Sequence, residues 1–149
     1  CPLIGEIKMF EKKGFENDSP LLGQIAVVAT AGFSSAACDL RNHDGSLLSV
    51  NMGNSGDTLS GSVYIELEVE DSPDGSTWTD VPDYLITGAV TGSNTGTFAK
   101  VDAPAEDSRI FTTAYLGREA WVRIVVNLTG THSNGTPIST EYLRTRAKY

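Results

Sequence analysis

The stretch from Val63 to Leu85, "VYIELEVEDSPDGSTWTDVPDYL", decides the fold prediction for this chain. Apolar and polar residues alternate strictly over its first eight positions, which is typical of a strand with one face in a core. The tetrapeptide SPDG at 72–75 has Pro at the second turn position and Gly at the fourth, as in a type I turn. A run with Thr and Trp follows. The stretch therefore predicts a β-hairpin.

The acidic middle of this hairpin has two interpretations. Asp71 and Asp74 carry oxygen atoms of the kind that calcium prefers. Their spacing lacks the Asp-x-Asp-x-Asp-Gly array, with its later Glu, that supplies enough oxygen ligands in a calcium loop. We therefore predict a turn that reverses the chain and no metal site in it.

Short apolar or alternating runs continue from Leu22 to the end of the sequence, separated by clusters of Gly, Asn, Asp and Ser. Regularly spaced short strands predict an antiparallel β-sandwich, here of the jelly-roll kind, over residues 23–149. Residues 1–22, which contain several Pro and Gly breakers, are predicted to form an extended N-terminal arm. The predicted strands are Gln24–Thr30, Ser34–Leu40, Ser46–Met52, Ser62–Glu70, Thr77–Val81, Thr97–Val101, Arg109–Leu116, Ala120–Leu128 and Ser139–Ala147.

Two of these strands show which face they bury. In both Ser62–Glu70 and Ala120–Leu128, every second residue is apolar, so one face of each is expected to lie in the core. The opposite faces carry Glu66 and Glu68 on the first strand and Arg123 on the second. If the strands are neighbours, these charges could pair across them.

Composition excludes several classes of function. The chain has 149 residues, 40% of them hydrophobic, and a formal net charge of −8, which fits one domain and disfavours nucleic acid as a partner. No apolar run approaches the ~20 residues that span a bilayer, so no membrane association is expected. His43 and His132 lie in loop contexts, and no G-x-S-x-G, H-E-x-x-H or P-loop motif occurs. We expect no enzyme activity, no cofactor and no metal.

Two cysteines, Cys1 and Cys38, are too few for a disulfide framework. The favoured interpretation is a free thiol at position 1 and a small buried residue at position 38. There are two alternatives. One is a Cys1–Cys38 disulfide, and the other is a lipid-anchored surface protein that carries the lipid on Cys1.

Two tryptophans, Trp78 and Trp121, are candidates for sugar stacking, with Trp121 expected on the outer face of its strand. This pattern supports a carbohydrate-binding module as an alternative function. Packing offers another explanation, with Trp78 closing one end of the sandwich and Trp121 under a loop or against a neighbouring subunit.

Three segments taken together resemble small virion proteins of tailed bacteriophages. They are "ATAGFSSAACDLRNHDGSLLSVNMG" at 29–53, "VYIELEVEDSPDGSTWTDVPDYLITG" at 63–88 and "YLGREAWVRIVVNLTGT" at 115–131. The resemblance covers about residues 26–131. It implies a jelly-roll-like capsid decoration or cement protein, located on the virion at the capsid surface. A head–tail junction or tail component is the alternative location.

The resemblance implies partners of a particular kind. Such a protein binds the major capsid protein lattice, is expected to form a homo-oligomer, and stabilises the shell through contacts that reach several subunits. Aromatic and basic residues near the two ends of the chain are the candidate contacts, because an acidic body leaves its basic groups there. These candidates are Phe10, Lys12, Lys13, Phe15, Arg144 and Arg146.

Overall fold

The computed structural model describes residues 19–147, with side chains described as far as residue 145. The described chain forms strands and two short 3-10 helices, Asp83–Leu85 and Pro104–Glu106. The strands are β1 (Ser19–Ala29), β2 (Phe33–Ser34), β3 (Cys38–Asp39), β4 (His43–Met52), β5 (Tyr64–Ser72), β6 (Thr79–Asp80), β7 (Thr97–Val101), β8 (Arg109–Tyr115), β9 (Trp121–Thr129) and β10 (Thr136–Ala147).

Two antiparallel sheets form a sandwich. The first has four strands in the order β1-β10-β4-β8. In the second, β9 and β5 are central neighbours, β2 and β3 both pair with β9, and β6 and β7 both pair with β5. If β2 with β3 and β6 with β7 are each counted as one interrupted strand, eight strands follow the two-sheet order of a jelly roll. The predicted all-β, jelly-roll-like sandwich is confirmed.

Strict alternation places the core where the sequence predicts it. Ile65, Leu67 and Val69 of β5 are fully buried. The alternating apolar residues of β9 face the same interior, with Ile124 and Val126 fully buried as well. Period-two patterning was therefore sufficient to assign the inner faces of the two central strands.

One predicted strand, Ser34–Leu40, is divided into β2 and β3. Between them, the Ala36 N–H donates to the carbonyl oxygen of Gly23 in β1, at 3.1 Å. Because Gly23 belongs to the opposite sheet, this bond draws the chain away from β9 and interrupts the ladder. The alternation of the sequence carries no signal for a hydrogen bond between sheets.

At the N-terminal side, β1 begins at Ser19, before the predicted end of the arm at residue 22. Ser19 to Leu22 pair with β10 in antiparallel register. The rest of the predicted arm lies outside the described residues, and its separation from the sandwich stays a prediction.

The turn of the opening hairpin is held by its own side chains. Asp74 Oδ1 accepts hydrogen bonds from the backbone N–H groups of Ser76 and Thr77, both at 2.8 Å. Ser72 Oγ accepts the N–H of Gly75 at 2.9 Å. The bonds from the Thr77 and Ser76 N–H groups to the ionised carboxylate lower the pKa of Asp74 to about 2. Asp71 is buried and accepts a hydrogen bond from the Tyr115 hydroxyl at 2.6 Å, so Asp74 holds the turn and Asp71 bonds to a strand of the other sheet.

Two further features bear on the sequence predictions. Cys38 is a fully buried free thiol whose pKa burial raises to about 11, while Cys1 lies outside the described residues. Between residues 19 and 147, no helix is long and apolar enough to cross a membrane.

Candidate functional site

The outer face of the four-stranded sheet carries a row of apolar residues that crosses all four strands. Pro20 of β1 is paired with Leu143 of β10, Leu143 with Leu47 of β4, and Leu47 with Ala114 of β8. Leu47 is 39% exposed, and Leu116, just beyond β8, is 55% exposed. Shallow grooves follow this line over the sheet. We call Pro20, Leu47, Ala114 and Leu143 the apolar row.

The same face stays largely uncharged beyond the apolar row. Leu22 of β1 and Ile110 of β8 are 56% and 63% exposed. Glu141 of β10 lies between them, opposite Leu22 and Ser49. A large exposed apolar area with little charge is typical of a surface that binds another protein.

Strand β1 forms one edge of this sheet. It pairs with β10 on one side and has no strand on the other among the described residues. Ile25 and Val28 of β1 are 70% and 58% exposed, so the edge is long and apolar as well as unpaired. Such edges are open to pairing with another chain.

The two tryptophans lie on the other sheet, each half-buried. The Arg41 guanidinium lies 5.0 Å from the ring centre of Trp121, and a Cβ added to Gly75 would lie 3.2 Å from that indole. The Arg123 guanidinium lies 4.4 Å from the ring centre of Trp78. Trp121 thus packs under the hairpin turn, as the packing interpretation held, and Trp78 stacks on arginine. One face of each indole is already covered, so the geometry gives the glycan-binding hypothesis no added support.

Of the predicted contact residues, Arg144 can be placed with its side chain. It lies in β10, and its Nη2 donates to Ser19 Oγ at 2.6 Å, which fastens the start of β1. Arg146 lies next to the end of β10, but its side chain is outside the described part. Phe10, Lys12, Lys13 and Phe15 also lie outside the described residues. Their contact role stays a prediction.

The predicted pairing of Arg123 with Glu66 and Glu68 is wrong. Strands β5 and β9 are neighbours, but Arg123 lies opposite Glu70 and binds it, with an Nη2–Oε2 distance of 2.7 Å. Glu66 and Glu68 are each 2% exposed. The segment before β7 covers their face, where the N–H and hydroxyl of Ser93 both donate to the Glu66 carboxylate at 2.7 Å. The sequence showed the face correctly but not the segment that covers it.

Three acids meet on this covered face. Glu68, Glu70 and Asp80 each place a carboxylate oxygen within 4.8 Å of the others. We call these residues the acidic cluster. The sequence predictions did not include it, although a signal was present. Glu70 and Asp80 are each five positions from Gly75, and the hairpin pairs them directly. The predicted turn therefore already implied that these two acids are neighbours.

No protein-family model and no curated protein sequence matches this chain. Solved structures with a similar fold include the SPBc2 prophage-derived protein YomS, with 11% identity, TM-score 0.47 and coverage of 85% of this chain and 91% of that one. A Clostridium thermocellum xylanase 10B with CBM22-1 and GH10 modules has 11% identity and TM-score 0.41, covering 89% and 27%. A chain in the structure of the infectious bursal disease virus Gx strain has 10% identity and TM-score 0.36, with coverage of 87% of this chain and 32% of that one. At these scores the similarities carry no argument about function.

Proposed function

We propose that this chain is a structural, non-catalytic virion protein that binds the outside of a viral capsid lattice and stabilises it. The apolar row is the observation that carries the proposal. It gives a β-sandwich a broad, weakly charged face that remains open to solvent in the single chain. Burying such a face against another protein is favourable, at roughly 25 cal/mol per Å² of apolar area before the costs of association.

The partner in this proposal is the major capsid protein, contacted by several copies of the chain. A symmetric shell presents the same site many times, so a homo-oligomer that contacts two or more subunits gains affinity by avidity. The net charge of −8 suits an exterior position, away from the nucleic acid genome. Resemblance to small virion proteins of tailed phages, stated above on three sequence segments, points to the same place.

Co-sedimentation with purified virus parts tests this function. The full chain is mixed with empty capsid shells and, separately, with tails of the virus that encodes it. We expect saturable binding to shells and a raised temperature of shell disruption. Binding to tails alone would instead place the protein at the head–tail junction or tail and overturn the capsid assignment.

A pair of variants assigns the binding to the apolar row. Leu47→Ser removes an exposed apolar side chain from the middle of the row and is expected to weaken shell binding. Val90→Ser is the matched control. It removes an apolar side chain that is 40% exposed, against 39% for Leu47, from the loop before β7 on the other sheet. It is expected to bind as the unchanged protein does. Equal binding by both variants would remove the apolar row from the proposal.

A deletion tests the contacts expected in the arm. The variant lacking residues 1–18 keeps Ser19, which Arg144 binds, and Pro20 of the apolar row. We expect it to fold and to bind shells more weakly, because Phe10, Lys12, Lys13 and Phe15 are lost. Undiminished shell occupancy would show that the sandwich alone makes the contacts.

A further inference from the structure

The acidic cluster lies on the outer face of the second sheet, where the hairpin, β9 and the covering segment meet. Glu70 is in the centre, directly opposite Asp80 of β6 on one side and Arg123 of β9 on the other. Glu68 lies two residues before Glu70, on the same face of β5. Each of the three carboxylates has an oxygen within 4.8 Å of an oxygen of the other two.

Glu68 is the unusual member. It is 2% exposed, and its Oε2 atom has no hydrogen-bond partner within the part of the chain that the structure describes. A buried carboxylate oxygen without a donor is costly, since it has lost its water and gained nothing in exchange. One carboxylate oxygen of Glu68 lies within 4.8 Å of a carboxylate oxygen of each of the two other acids, so this buried carboxylate faces the cluster.

Among the residues whose side chains the structure describes, the basic groups do not balance the charge in this region. Arg123 is the basic group that binds the cluster, and both of its bonds go to a single atom, Oε2 of Glu70. Three carboxylates and one guanidinium leave two negative charges uncompensated when all are ionised. Carboxylates this close repel one another when ionised, so the cluster is unfavourable without a further positive charge.

We propose that Glu68, Glu70 and Asp80 form a binding site for one calcium ion. A divalent cation supplies the two positive charges that the cluster lacks. All three ligands are carboxylate oxygens, with no His or Cys among them, which suits a hard cation and not zinc or copper. Calcium accepts six to eight oxygens in irregular arrangements, whereas magnesium requires near-octahedral geometry.

The surroundings provide an entry path and further ligands. Asp80 is exposed at the edge of the sheet, so an ion can approach from that side and keep some of its water. The side chains of Asn94 and Asn127 lie within hydrogen-bonding reach of Glu68. Rotation of either amide would direct its oxygen, in place of its NH₂ group, toward a bound ion.

Such an ion would connect separate parts of the fold. Asn94 belongs to the segment that covers the outer face of β5, and Asp80 belongs to the second strand of the hairpin. A calcium ion bonded to the cluster would fasten the hairpin strand to β5, and with Asn94 as a further ligand it would fasten the covering segment as well. Calcium is therefore expected to stabilise the folded chain, since a ligand that binds the native state selectively raises its free energy of unfolding.

Calcium titration of the full chain, after treatment with a chelator and at neutral pH, tests the site. We expect calorimetry to show one saturable site per chain and thermal unfolding to shift to higher temperature with added Ca²⁺. Glu68→Gln keeps the shape of the side chain, and Asp80→Asn changes an exposed edge residue, so both are expected to fold. Each should weaken Ca²⁺ binding by about tenfold or more, because affinity follows ligand charge.

Glu141→Gln is the matched control. It removes one negative charge from the outer face of the other sheet and should leave the affinity for Ca²⁺ unchanged. The proposal is overturned if the unchanged protein shows no binding up to about 1 mM Ca²⁺, the weak limit of extracellular calcium modules. It is also overturned if either Glu68→Gln or Asp80→Asn binds Ca²⁺ as tightly as the Glu141→Gln control.

Discussion

At Gly75 the backbone has φ of +78°, and an added Cβ would lie 3.2 Å from the Trp121 indole. Gly88 has a similar φ of +70° with nothing within 4 Å of the added Cβ. We expect Gly75→Ala to lower the free energy of unfolding by about 1–2 kcal/mol from backbone strain, and further through the contact with Trp121. Gly88→Ala should show the strain alone.

Urea unfolding of both variants measures the difference. The contribution of the Trp121 contact is the extra loss in Gly75→Ala. Equal losses in the two variants would mean that the indole moves aside without cost and that the hairpin turn is not pressed against it.

Glu68 sets a pH dependence. Burial raises the pKa of its carboxyl above the unfolded value of 4.5, so ionisation disfavours the folded state, and this penalty is fully present above the folded pKa. We expect Glu68→Gln to be more stable than the unchanged protein at pH 7 without divalent cations. The advantage should shrink as pH falls through the folded pKa toward 4.5, in urea unfolding at several pH values. A gain independent of pH would contradict this assignment.

These two residues mark how far single positions can be predicted from sequence. The sequence indicated the turn at Gly75, because Ser-Pro-Asp-Gly has a local conformational preference. The burial of Glu68 could not be predicted in this way. Its face is covered by a segment more than twenty residues later in the chain, held there by bonds from Ser93 to Glu66.

At the scale of elements, strands with clear alternation were predicted well and irregular ones poorly. Ala120–Leu128, which alternates clearly, was predicted within one residue of the observed bounds of β9 at each end. The run Thr77–Val81 became the two-residue β6, and Ser34–Leu40 became two short strands. Length and continuity of a strand depend on the partner that its backbone finds, and that partner is not encoded locally.

Two loops at one end of the sandwich are joined by Asp57. Its carboxylate accepts the N–H of Asn134 at 3.0 Å and that of Gly135 at 2.8 Å. These bonds lower its pKa below 3.8, so its stabilising effect is present above the unfolded pKa and is lost as pH falls through the folded pKa. We expect Asp57→Asn to lower the urea midpoint at pH 7, because an amide replaces one of the two accepting oxygens.

A control variant and the pH dependence of unfolding distinguish the loss of the Asp57 hydrogen bonds from a general effect of removing one negative charge. Glu141→Gln removes the same charge from an exposed strand position and should leave the midpoint nearly unchanged. The difference between Asp57→Asn and the unchanged protein should diminish at pH values below the lowered pKa. A difference that persists there undiminished would argue against the ionised carboxylate as the acceptor.

At the scale of the whole molecule, two tyrosine hydroxyls connect the sheets. Tyr115 of β8 donates to Asp71 of β5 at 2.6 Å. Tyr142 of β10 donates to the carbonyl oxygen of Ala36 at 2.9 Å and accepts the N–H of Ile124 in β9 at 3.1 Å. The sequence predicted two sheets but not their strand order, which is determined by contacts such as these between residues far apart in the chain.

Tyr142→Phe tests how much one such connection contributes. It removes a hydroxyl but keeps the buried ring, and leaves the Ile124 N–H and the Ala36 carbonyl without that partner. Unsatisfied buried groups cost about 1–3 kcal/mol each, so we expect a loss of that order in the free energy of unfolding. Tyr84→Phe, at a side chain 79% exposed, should change it by less than about 0.5 kcal/mol. Hydrogen exchange of the Ile124 amide should be faster in Tyr142→Phe. Equal stability of the two variants would show that the Tyr142 hydroxyl does not contribute to the free energy of unfolding by connecting the sheets.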